Sequence, residues 1–371
     1  MKILHLIDHL GLGGAQNQLV DLIESGDPEF EHEVVALGPR TLPPLAERLY
    51  RAGAPFQCLD LSKWGPTGLP KICRALDEAR PDVVHTHLDY SNSIGVAVAA
   101  SRGRARPRVV RAIDDDPSDK YAWPLRLGAR YVTRWVDAEI AVSESVRRVI
   151  ERIFPRPTRP MDVIPPGLDL RRFEPSAVDL ARARELRDGA SRVVGTVGRL
   201  TDQKGLATLV HALPRLRASD DGTRLLVVGE GPRRVALEQL ASRLGVQDAV
   251  VFLGHRADMA EVYSAMDVFA LSSQHEGFGI VFLEAMSMGI PVVGSRVVGI
   301  VDAIQDEVTG LVVPPADSAA LAAAILRLFD NPDLAGSLAD RARRTVLATR
   351  SREVMAARTE AVYRRTLESP S

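Results

Sequence analysis

The feature that most constrains the fold is an alternation of short apolar segments with amphipathic ones along nearly all of the chain. Short apolar runs are typical of strands buried on both faces, and helical periodicity marks the segments between them. This rhythm predicts parallel sheets covered by helices on both sides. In the first half we predict strands at 3–7, 32–37, 83–85, 108–113, 138–142 and 162–164, and helices at 15–24, 43–52, 68–78, 91–100 and 143–153.

A break at Pro165-Pro166-Gly167, followed by a polar segment, divides the alternation into two sets of similar size. Two halves of a 371-residue chain are each large enough to bury a core. We therefore predict an α/β fold of two Rossmann-like doubly wound domains, 1–170 and 171–350, facing a cleft, with a C-terminal helix in 351–371. The second set of strands is predicted at 192–197, 224–228, 250–253, 268–271, 291–294 and 310–313.

Composition excludes several classes of protein. The formal net charge of -1 argues against a nucleic-acid binder, which usually carries a basic excess. Cys58 and Cys73 form no metal-binding pattern, so a reduced cytoplasmic protein is expected. We expect no signal peptide, because the first predicted strand directly follows the initial Met, and no apolar run reaches the ~18 residues of a spanning helix.

Two carboxylates, Glu276 and Glu284, frame the predicted start of a helix after the strand at 268–271. The segment Gly277-Phe278-Gly279-Ile280 places the helix amides, which lack intrahelical partners, beside Glu276. Carboxylates accept pairs of hydrogen bonds and therefore suit the vicinal hydroxyls of a sugar or ribose. The alternative is one capping and one solvated glutamate, but Glu284 stands in an apolar run, where an unused charge is costly.

Two cations, Arg199 and Lys204, follow the strand at 192–197, where open α/β sheets bind ligands. Arginine offers a fork to phosphate oxygens and lysine a compact charge, while Gly198 and Gly205 let the backbone approach an anion. The segment is not a P-loop, because the order of glycine, lysine and hydroxyl residues is missing. A solvated pair of loop cations is the alternative.

Further motifs accompany these residues along the chain. Together they are Gly13-Gly14-Ala15-Gln16, Gly198-Arg199, Lys204-Gly205, Gly229-Glu230-Gly231-Pro232, Phe252-Leu253-Gly254, Glu276 with Glu284, and Pro291-Val292-Val293. In these motifs, over about residues 1 to 350, the chain resembles the family 4 glycosyltransferases, retaining enzymes of the GT-B fold that use nucleoside-diphosphate sugars. The resemblance implies transfer of a sugar from a UDP- or GDP-linked donor to a hydroxyl acceptor, and a C-terminal helix that packs on the first half.

The resemblance implies a donor site in the second half and an acceptor side in the first. Arg199 and Lys204 would stabilise the diphosphate, Glu276 and Asp114 would act at the reacting sugar, and no metal or cofactor is expected. The donor residues implied are Gly13, Gly14, Gly198, Arg199, Lys204, Arg256, Glu276, Gly277, Phe278, Gly279, Ile280 and Glu284; the acceptor-side residues are Gln16, His85, His87, Asp114 and Asp115.

Three features of the first half qualify this expectation. A dinucleotide fingerprint requires Gly where Gln16 stands, so an oxidoreductase is disfavoured. We predict that His85 and His87 point to opposite faces of their strand and do not share a metal. Asp114 stands where many family members carry His, and it begins a run of three Asp residues. The alternative to an acceptor-side role is that this run is a solvated acidic loop.

The partners expected are a nucleotide-sugar donor and a sugar, aminocyclitol or lipid-linked acceptor, with no nucleic acid. Arginines alternate with aromatic residues between Trp123 and Arg152. Such a surface can contact the inner face of a membrane, and the alternative is that these are ordinary surface arginines. Two other functions remain open: a sugar-nucleotide epimerase of the same architecture, and a non-catalytic protein that binds nucleotide sugars.

Overall fold

A computed structural model describes residues 1–11, 13–39, 43–61, 68–116, 132–154 and 161–369 of the chain. The chain divides into two compact units. The first comprises Met1–Gly167 and Arg352–Ser371, and the second comprises Leu168–Ser351. The C-terminal helix Arg352–Glu368 thus belongs to the first unit although it follows the second in sequence.

The first unit contains a seven-stranded parallel sheet in the order β3-β2-β1-β4-β5-β6-β7 within the described residues. All six predicted strands are present, but β3 was missed because it is short and its side chains are largely exposed. The strands are β1 Lys2–Ile7, β2 Glu31–Ala36, β3 Phe56–Cys58, β4 Val83–His87, β5 Arg108–Ile113, β6 Ala138–Ala141 and β7 Met161–Val163.

Alternate residues of each strand face opposite sides of this sheet, so each side has its own core. Ile3 and Val83 pack with Tyr363 of the C-terminal helix on one side, while Leu4 and Val84 pack on the other. The other helices that the structure describes in this unit are α1 Gly14–Ser25, α2 Pro43–Arg51, α3 Gly68–Ala79, a π-helical turn Ser91–Gly95 that continues as α4 Val96–Ala100, a 3-10 helix Gly103–Ala105, and α5 Glu144–Ile153.

The second unit contains a six-stranded parallel sheet in the order β10-β9-β8-β11-β12-β13. The strands are β8 Arg192–Val197, β9 Thr223–Val228, β10 Val250–Gly254, β11 Val268–Leu271, β12 Val292–Ser295 and β13 Leu311–Val313, each within one residue of its predicted bounds. The helices are α6 Leu180–Arg187, α7 Leu206–Ser219, α8 Arg234–Arg243, α9 Met259–Ser264, α10 Ile280–Ser287, α11 Ile300–Ala303, α12 Ser318–Asp330 and α13 Pro332–Thr349.

Each sheet reverses its strand order once, between β1 and β4 in the first unit and between β8 and β11 in the second. At such a switch point the loops that follow the two neighbouring strands leave in opposite directions, which opens a crevice at the carboxyl edge. Gly13 follows β1 and His87 ends β4, while Lys204 follows β8 and Glu276 follows β11. Predicted site residues therefore fall at both switch points.

Candidate active site

Lys204 and Glu276 form an ion pair at the switch point of the second sheet. Lys204 Nζ donates a hydrogen bond to Glu276 Oε1, which also accepts one from Ser273 Oγ at 2.7 Å. The two charged side chains are only 15% and 8% exposed. A pair so shielded from water interacts more strongly than one on the surface. Two motifs that the sequence gives separately thus meet in one site.

Backbone contacts between the loops after β8 and β11 hold this pair in position. Gly205 has φ +57°, and a Cβ atom there would lie 2.2 Å from the carbonyl oxygen of Ser272. Ser272 Oγ donates to the Gly205 carbonyl at 2.8 Å, and Gln274 N donates to the Gln203 carbonyl at 2.8 Å. Any side chain at position 205 would force the two loops apart.

Gly198 and Arg199 begin the loop after β8. A Cβ atom at Gly229, which has φ +126°, would lie 2.0 Å from the Gly198 carbonyl oxygen, so the loops after β8 and β9 also touch. The Arg199 side chain is exposed and makes no ion pair with any residue that the structure describes. Its guanidinium is therefore accessible to an anion.

The segment Gly277-Phe278-Gly279 leads into α10, whose N-cap is Gly279 with φ +82°. A Cβ atom at Gly299, which has φ +80°, would lie 2.5 Å from the Gly277 carbonyl oxygen. Phe278 is buried, with the Arg350 guanidinium 5.5 Å from its ring centroid. The Phe278 ring anchors the loop, and Ile280 at the helix start is half-buried.

Glu284 lies in the second turn of α10 and is half-buried. Its Oε2 accepts a hydrogen bond of 2.6 Å from the hydroxyl of Tyr263 in α9. Burial, and then the charge of Glu284, raises the pKa of the Tyr263 hydroxyl well above its usual value, so this group remains a donor. Sequence reasoning missed Tyr263 and Ser273, because neither has a local signal that links it to the glutamate it contacts.

Arg256 lies outside this group. It follows β10, which β9 separates from β8, so the strand order places it away from the switch point. Its guanidinium donates to both carboxylate oxygens of Asp258, at 2.7 Å for the Nε contact. The charge of Arg256 is thereby balanced within its own loop.

In the first unit, the Gly13-Gly14 loop closes on the side chain of Gln16. A Cβ atom at Gly13 would lie 2.1 Å from Gln16 Oε1. Gln16 is buried, and its Nε2 lies 3.3 Å from His9 Nδ1. Asp8 accepts hydrogen bonds from the Ser91 backbone at 2.7 Å and the Tyr90 backbone at 3.1 Å. The loops after β1 and β4 are thus tied together.

The three Asp residues follow β5, the strand beside β4. Asp114 Oδ2 lies 3.4 Å from the backbone N of Leu88, which follows β4, so Asp114 reaches toward the switch point of this unit. Asp115 Oδ1 accepts from the Asp116 backbone at 2.9 Å. Asp116 itself is buried.

The prediction that His85 and His87 face opposite sides of β4 is wrong. Residues two apart on a strand share a face, and the two ring centroids lie 4.1 Å apart. Both side chains are buried. His85 Nδ1 lies 2.6 Å from the Tyr363 hydroxyl, and His87 Nε2 lies 3.1 Å from His5 Nδ1. Both imidazoles therefore have partners inside the first unit.

The basic and aromatic segment lies largely outside the described residues, which exclude 117–131. In its described part, Arg147 and Arg148 both pair with Glu144, and Arg147 also pairs with Glu151 at 3.6 Å. The charges of these arginines are therefore balanced locally. Within the described ranges, every helix is too short or too polar to cross a membrane.

Comparison with known protein families matches both halves of the chain. The model described as Glycosyltransferase Family 4 matches residues 12–172, and the one described as Glycosyl transferases group 1 matches residues 191–331. Similar relatives include the D-inositol 3-phosphate glycosyltransferase of Salinispora arenicola, 38% identical over 71% of this chain and 64% of the relative. The matched part is thus less than two thirds of that relative.

A second relative is the GDP-mannose-dependent alpha-(1-6)-phosphatidylinositol monomannoside mannosyltransferase of Mycobacterium tuberculosis. It is 32% identical over 79% of this chain and 78% of its own length. Among solved structures, Anabaena HepE in complex with UDP and glucose matches with a TM-score of 0.86 and 23% identity, covering 98% of this chain and all of that one. The sucrose-phosphate synthase of Thermosynechococcus elongatus matches with a TM-score of 0.81 and 24% identity, over 98% of this chain and 99% of that one. The architecture is therefore GT-B, as predicted.

Proposed function

Because the chain belongs to glycosyltransferase family 4, we propose that it transfers a sugar from a nucleoside diphosphate to a hydroxyl group of an acceptor, with retention of configuration. The observation that carries this proposal is the meeting of Lys204 and Glu276 at the switch point of the second sheet. A diphosphate gains negative charge as the sugar leaves, and a cation already in place stabilises that charge.

Lys204 and Arg199 divide this electrostatic work. Lys204 is held by Glu276, so its ammonium needs little reorganisation to meet a diphosphate oxygen. Arg199 is exposed on the same loop and adds a guanidinium fork that fits phosphate oxygens. The two cations supply the stabilisation without a metal, and we propose that turnover is metal-independent.

Glu276 would hold the transferred sugar. Its two hydrogen bonds from Lys204 and Ser273 both reach Oε1, and Oε2 has no hydrogen-bond donor among the described residues. A carboxylate oxygen with lone pairs to spare accepts hydrogen bonds from sugar hydroxyls. Lys204 and Ser273 fix the carboxylate, so that its second oxygen is oriented before the donor arrives.

Glu284 would hold the ribose hydroxyls of the nucleotide. The hydrogen bond from Tyr263 orients its carboxylate within α10. Tyr263 is fully buried and is therefore a positioning residue that acts through Glu284. Loss of the Tyr263 hydroxyl would weaken nucleotide binding and leave the contacts to the diphosphate unchanged.

The acceptor would contact the first unit through Asp114 and Asp115, with Gln16 shaping the loop after β1. Asp114 lies at the carboxyl edge next to the loop after β4, where a carboxylate can accept hydrogen bonds from several hydroxyls. The names of the Salinispora and mycobacterial relatives give inositol 3-phosphate and a phosphatidylinositol mannoside as their acceptors. We propose a polyhydroxyl acceptor of this class: a sugar, an aminocyclitol or a lipid-linked polyol.

The proposal is tested in two stages. Thermal unfolding with UDP, GDP and their sugars identifies the donor, because a ligand that binds the folded state raises Tm. Labelled donor is then incubated with inositol phosphate, aminocyclitol and lipid-linked acceptors, and the anomeric configuration of the product is read by NMR. Label in an acceptor supports the proposal. Acceptor-independent release of free sugar favours an epimerase, and binding without turnover across the panel favours a sensor.

Metal independence has its own test. Turnover in EDTA is expected to equal turnover in untreated enzyme, and added Mg²⁺ or Mn²⁺ should leave it unchanged. A loss of turnover in EDTA that either ion restores would assign the diphosphate to a metal rather than to Lys204 and Arg199.

A lipid-linked acceptor requires that the protein approach a membrane, and we propose that it does so from the cytoplasmic side. Co-sedimentation with vesicles that contain phosphatidylinositol, compared with neutral vesicles, tests this part of the proposal. Binding to neither kind, together with transfer to a water-soluble acceptor, would remove the membrane from the mechanism.

A further inference from the structure

A cluster of buried imidazoles lies in the core of the first unit. His5 and His85 are direct neighbours in the pairing of β1 with β4, and His87 follows two positions later on the same face. Each offers a ring nitrogen, and these nitrogens all lie within 4.8 Å of one another. The three side chains are 0%, 3% and 5% exposed.

We propose that His5, His85 and His87 bind a divalent transition-metal ion of the zinc, cobalt or nickel class, which stabilises the first unit. His5 Nδ1 and His87 Nε2 lie 3.1 Å apart. Two nitrogens bound tetrahedrally at ~2.0–2.1 Å from zinc lie about 3.3 Å apart, so this pair already has the separation of two ligands. Without the ion, the same two atoms share a hydrogen bond.

His85 supplies the third nitrogen. Its Nδ1 lies 2.6 Å from the Tyr363 hydroxyl, whereas its Nε2 is buried without a hydrogen-bond partner among the described residues. A buried nitrogen without a partner is unfavourable, and most native structures avoid it. A metal ion between the three rings provides the missing partner.

The surroundings of the cluster match those of metal-binding histidines. Such residues usually hydrogen-bond through their other ring nitrogen, which fixes the ring and its tautomer. His5 Nε2 lies 2.9 Å from His32 Nδ1, and His85 has Tyr363. His32 also lines a surface pocket at the amino ends of β1 and β2, which brings solvent close to the cluster.

Burial also keeps the imidazoles in the form that binds metals. It lowers the pKa of His87 to about 3 and the pKa values of His5 and His85 well below the usual value. All three are therefore neutral at pH 7, and a metal need not displace a proton from an imidazolium ion. Because all three ligands are buried in the core of the first unit, against Tyr363 of the C-terminal helix, the ion contributes to stability rather than to sugar transfer.

The test uses the full, untagged chain after removal of metals by a chelator. Titration with Co²⁺ is expected to saturate at one ion per chain, with visible absorption of tetrahedral type and a rise in Tm. The variant Tyr363→Phe keeps all three ligands but loses a partner of His85, so Co²⁺ affinity should fall about 10–100-fold. His87→Asn removes a ligand and should abolish the absorption. His211→Asn changes an exposed histidine on α7 and should have no effect.

A spectrum of the unaltered protein that lacks saturable Co²⁺ absorption would overturn the proposal, whether or not the variants fold. Absorption that persists in folded His87→Asn, or that disappears in His211→Asn, would also overturn it. In either case the cluster would be a chain of neutral imidazoles that bonds β1, β2 and β4 to the C-terminal helix.

Discussion

The switch points of the two sheets have the same topology, but their polar residues stand in different places: in loops in the second unit and on the strands in the first. In the second unit, Lys204 and Glu276 form an ion pair and stand in loops beyond the strand ends. In the first, His5, His85 and His87 project from the strands themselves into a core beneath the C-terminal helix. The second switch point therefore holds an ion pair in its loops, whereas the first also buries imidazoles on the strands behind its edge.

Polar residues in these two places serve different purposes, ligand binding in the loops and stability on the strands. A charged pair in a loop can exchange partners with an incoming ligand, because both groups lie where the crevice opens. Buried imidazoles cannot meet a large substrate, so their hydrogen bonds serve the fold or a small ion. The predictions below act on one side of this contrast at a time.

Acidification is expected to have the largest effect, and to act on the first unit. Burial lowers the pKa of His32 to about 4 and that of His87 to about 3, and it lowers those of His5 and His85 well below the usual value. As pH falls below ~6.5, the unfolded chain therefore binds protons first, and the free energy of unfolding decreases by about 1.4 kcal/mol per pH unit for each imidazole.

This loss of stability is measured by calorimetry of metal-free protein between pH 7.5 and 5. The transition of the first unit should shift to lower temperature much further than that of the second. Equal shifts of both transitions, or none below pH 6.5, would contradict a buried neutral cluster.

Removing Lys204 is expected to have the largest effect on catalysis. Lys204→Ala deletes the shielded cation and leaves Glu276 without its charged partner. A charge-assisted contact contributes roughly 1.5–3 kcal/mol, so kcat/KM should fall about ten- to a hundredfold. Arg199→Ala should lower kcat/KM by about tenfold, the smaller end of this range, because Arg199 is exposed.

Steady-state kinetics on both variants decide this prediction, with Lys71→Ala, an exposed lysine of the first unit, as the control. Near-normal activity in Lys204→Ala and Arg199→Ala would exclude the diphosphate role. An effect of Lys71→Ala as large as theirs would mean that the loss is not specific to the site.

Tyr263→Phe tests the positioning of Glu284. The hydroxyl is lost but the ring remains, so donor KM should rise about tenfold while kcat stays nearly constant. Discrimination between a ribonucleoside diphosphate and its 2′,3′-dideoxy analogue should also shrink, a change that a purely structural role would not produce. Tyr50→Phe, at a position 82% exposed, is the matched control. If the folded variant discriminates between the two nucleotides as well as the unaltered protein does, Glu284 does not bind the ribose hydroxyls.

The smallest effect is expected at Asp114. Asp114→Asn preserves shape while removing charge, so acceptor KM should rise severalfold, by about 1 kcal/mol, with donor Kd unchanged. Asp115→Asn and Asp116→Asn separate this position from its neighbours. Equal, negligible effects at all three positions would favour a solvated acidic loop, and a large loss of donor binding at Asp114 would show that it was assigned to the wrong substrate.

The sequence alone determined the architecture of the chain. Buried parallel strands require continuous apolar runs, and helices between them require their own periodicity, so both patterns can be read locally. The exception, β3, is a short strand at the sheet edge with little apolar signal. The sequence also placed Gly205 and Gly279 in loops, and the structure shows that both have a positive φ.

Only the tertiary structure decided which polar groups meet. Lys204 and Glu276 are 72 residues apart, and His85 reaches Tyr363 across 278 residues. The neighbouring positions of β8 and β11 bring Lys204 to Glu276, whereas the packing of the C-terminal helix on the first sheet brings Tyr363 to His85. Neither contact follows from a local sequence pattern. Tyr263 and Ser273 were not predicted for the same reason. The role of a buried hydroxyl depends on the carboxylate that it contacts, and that contact exists only after folding.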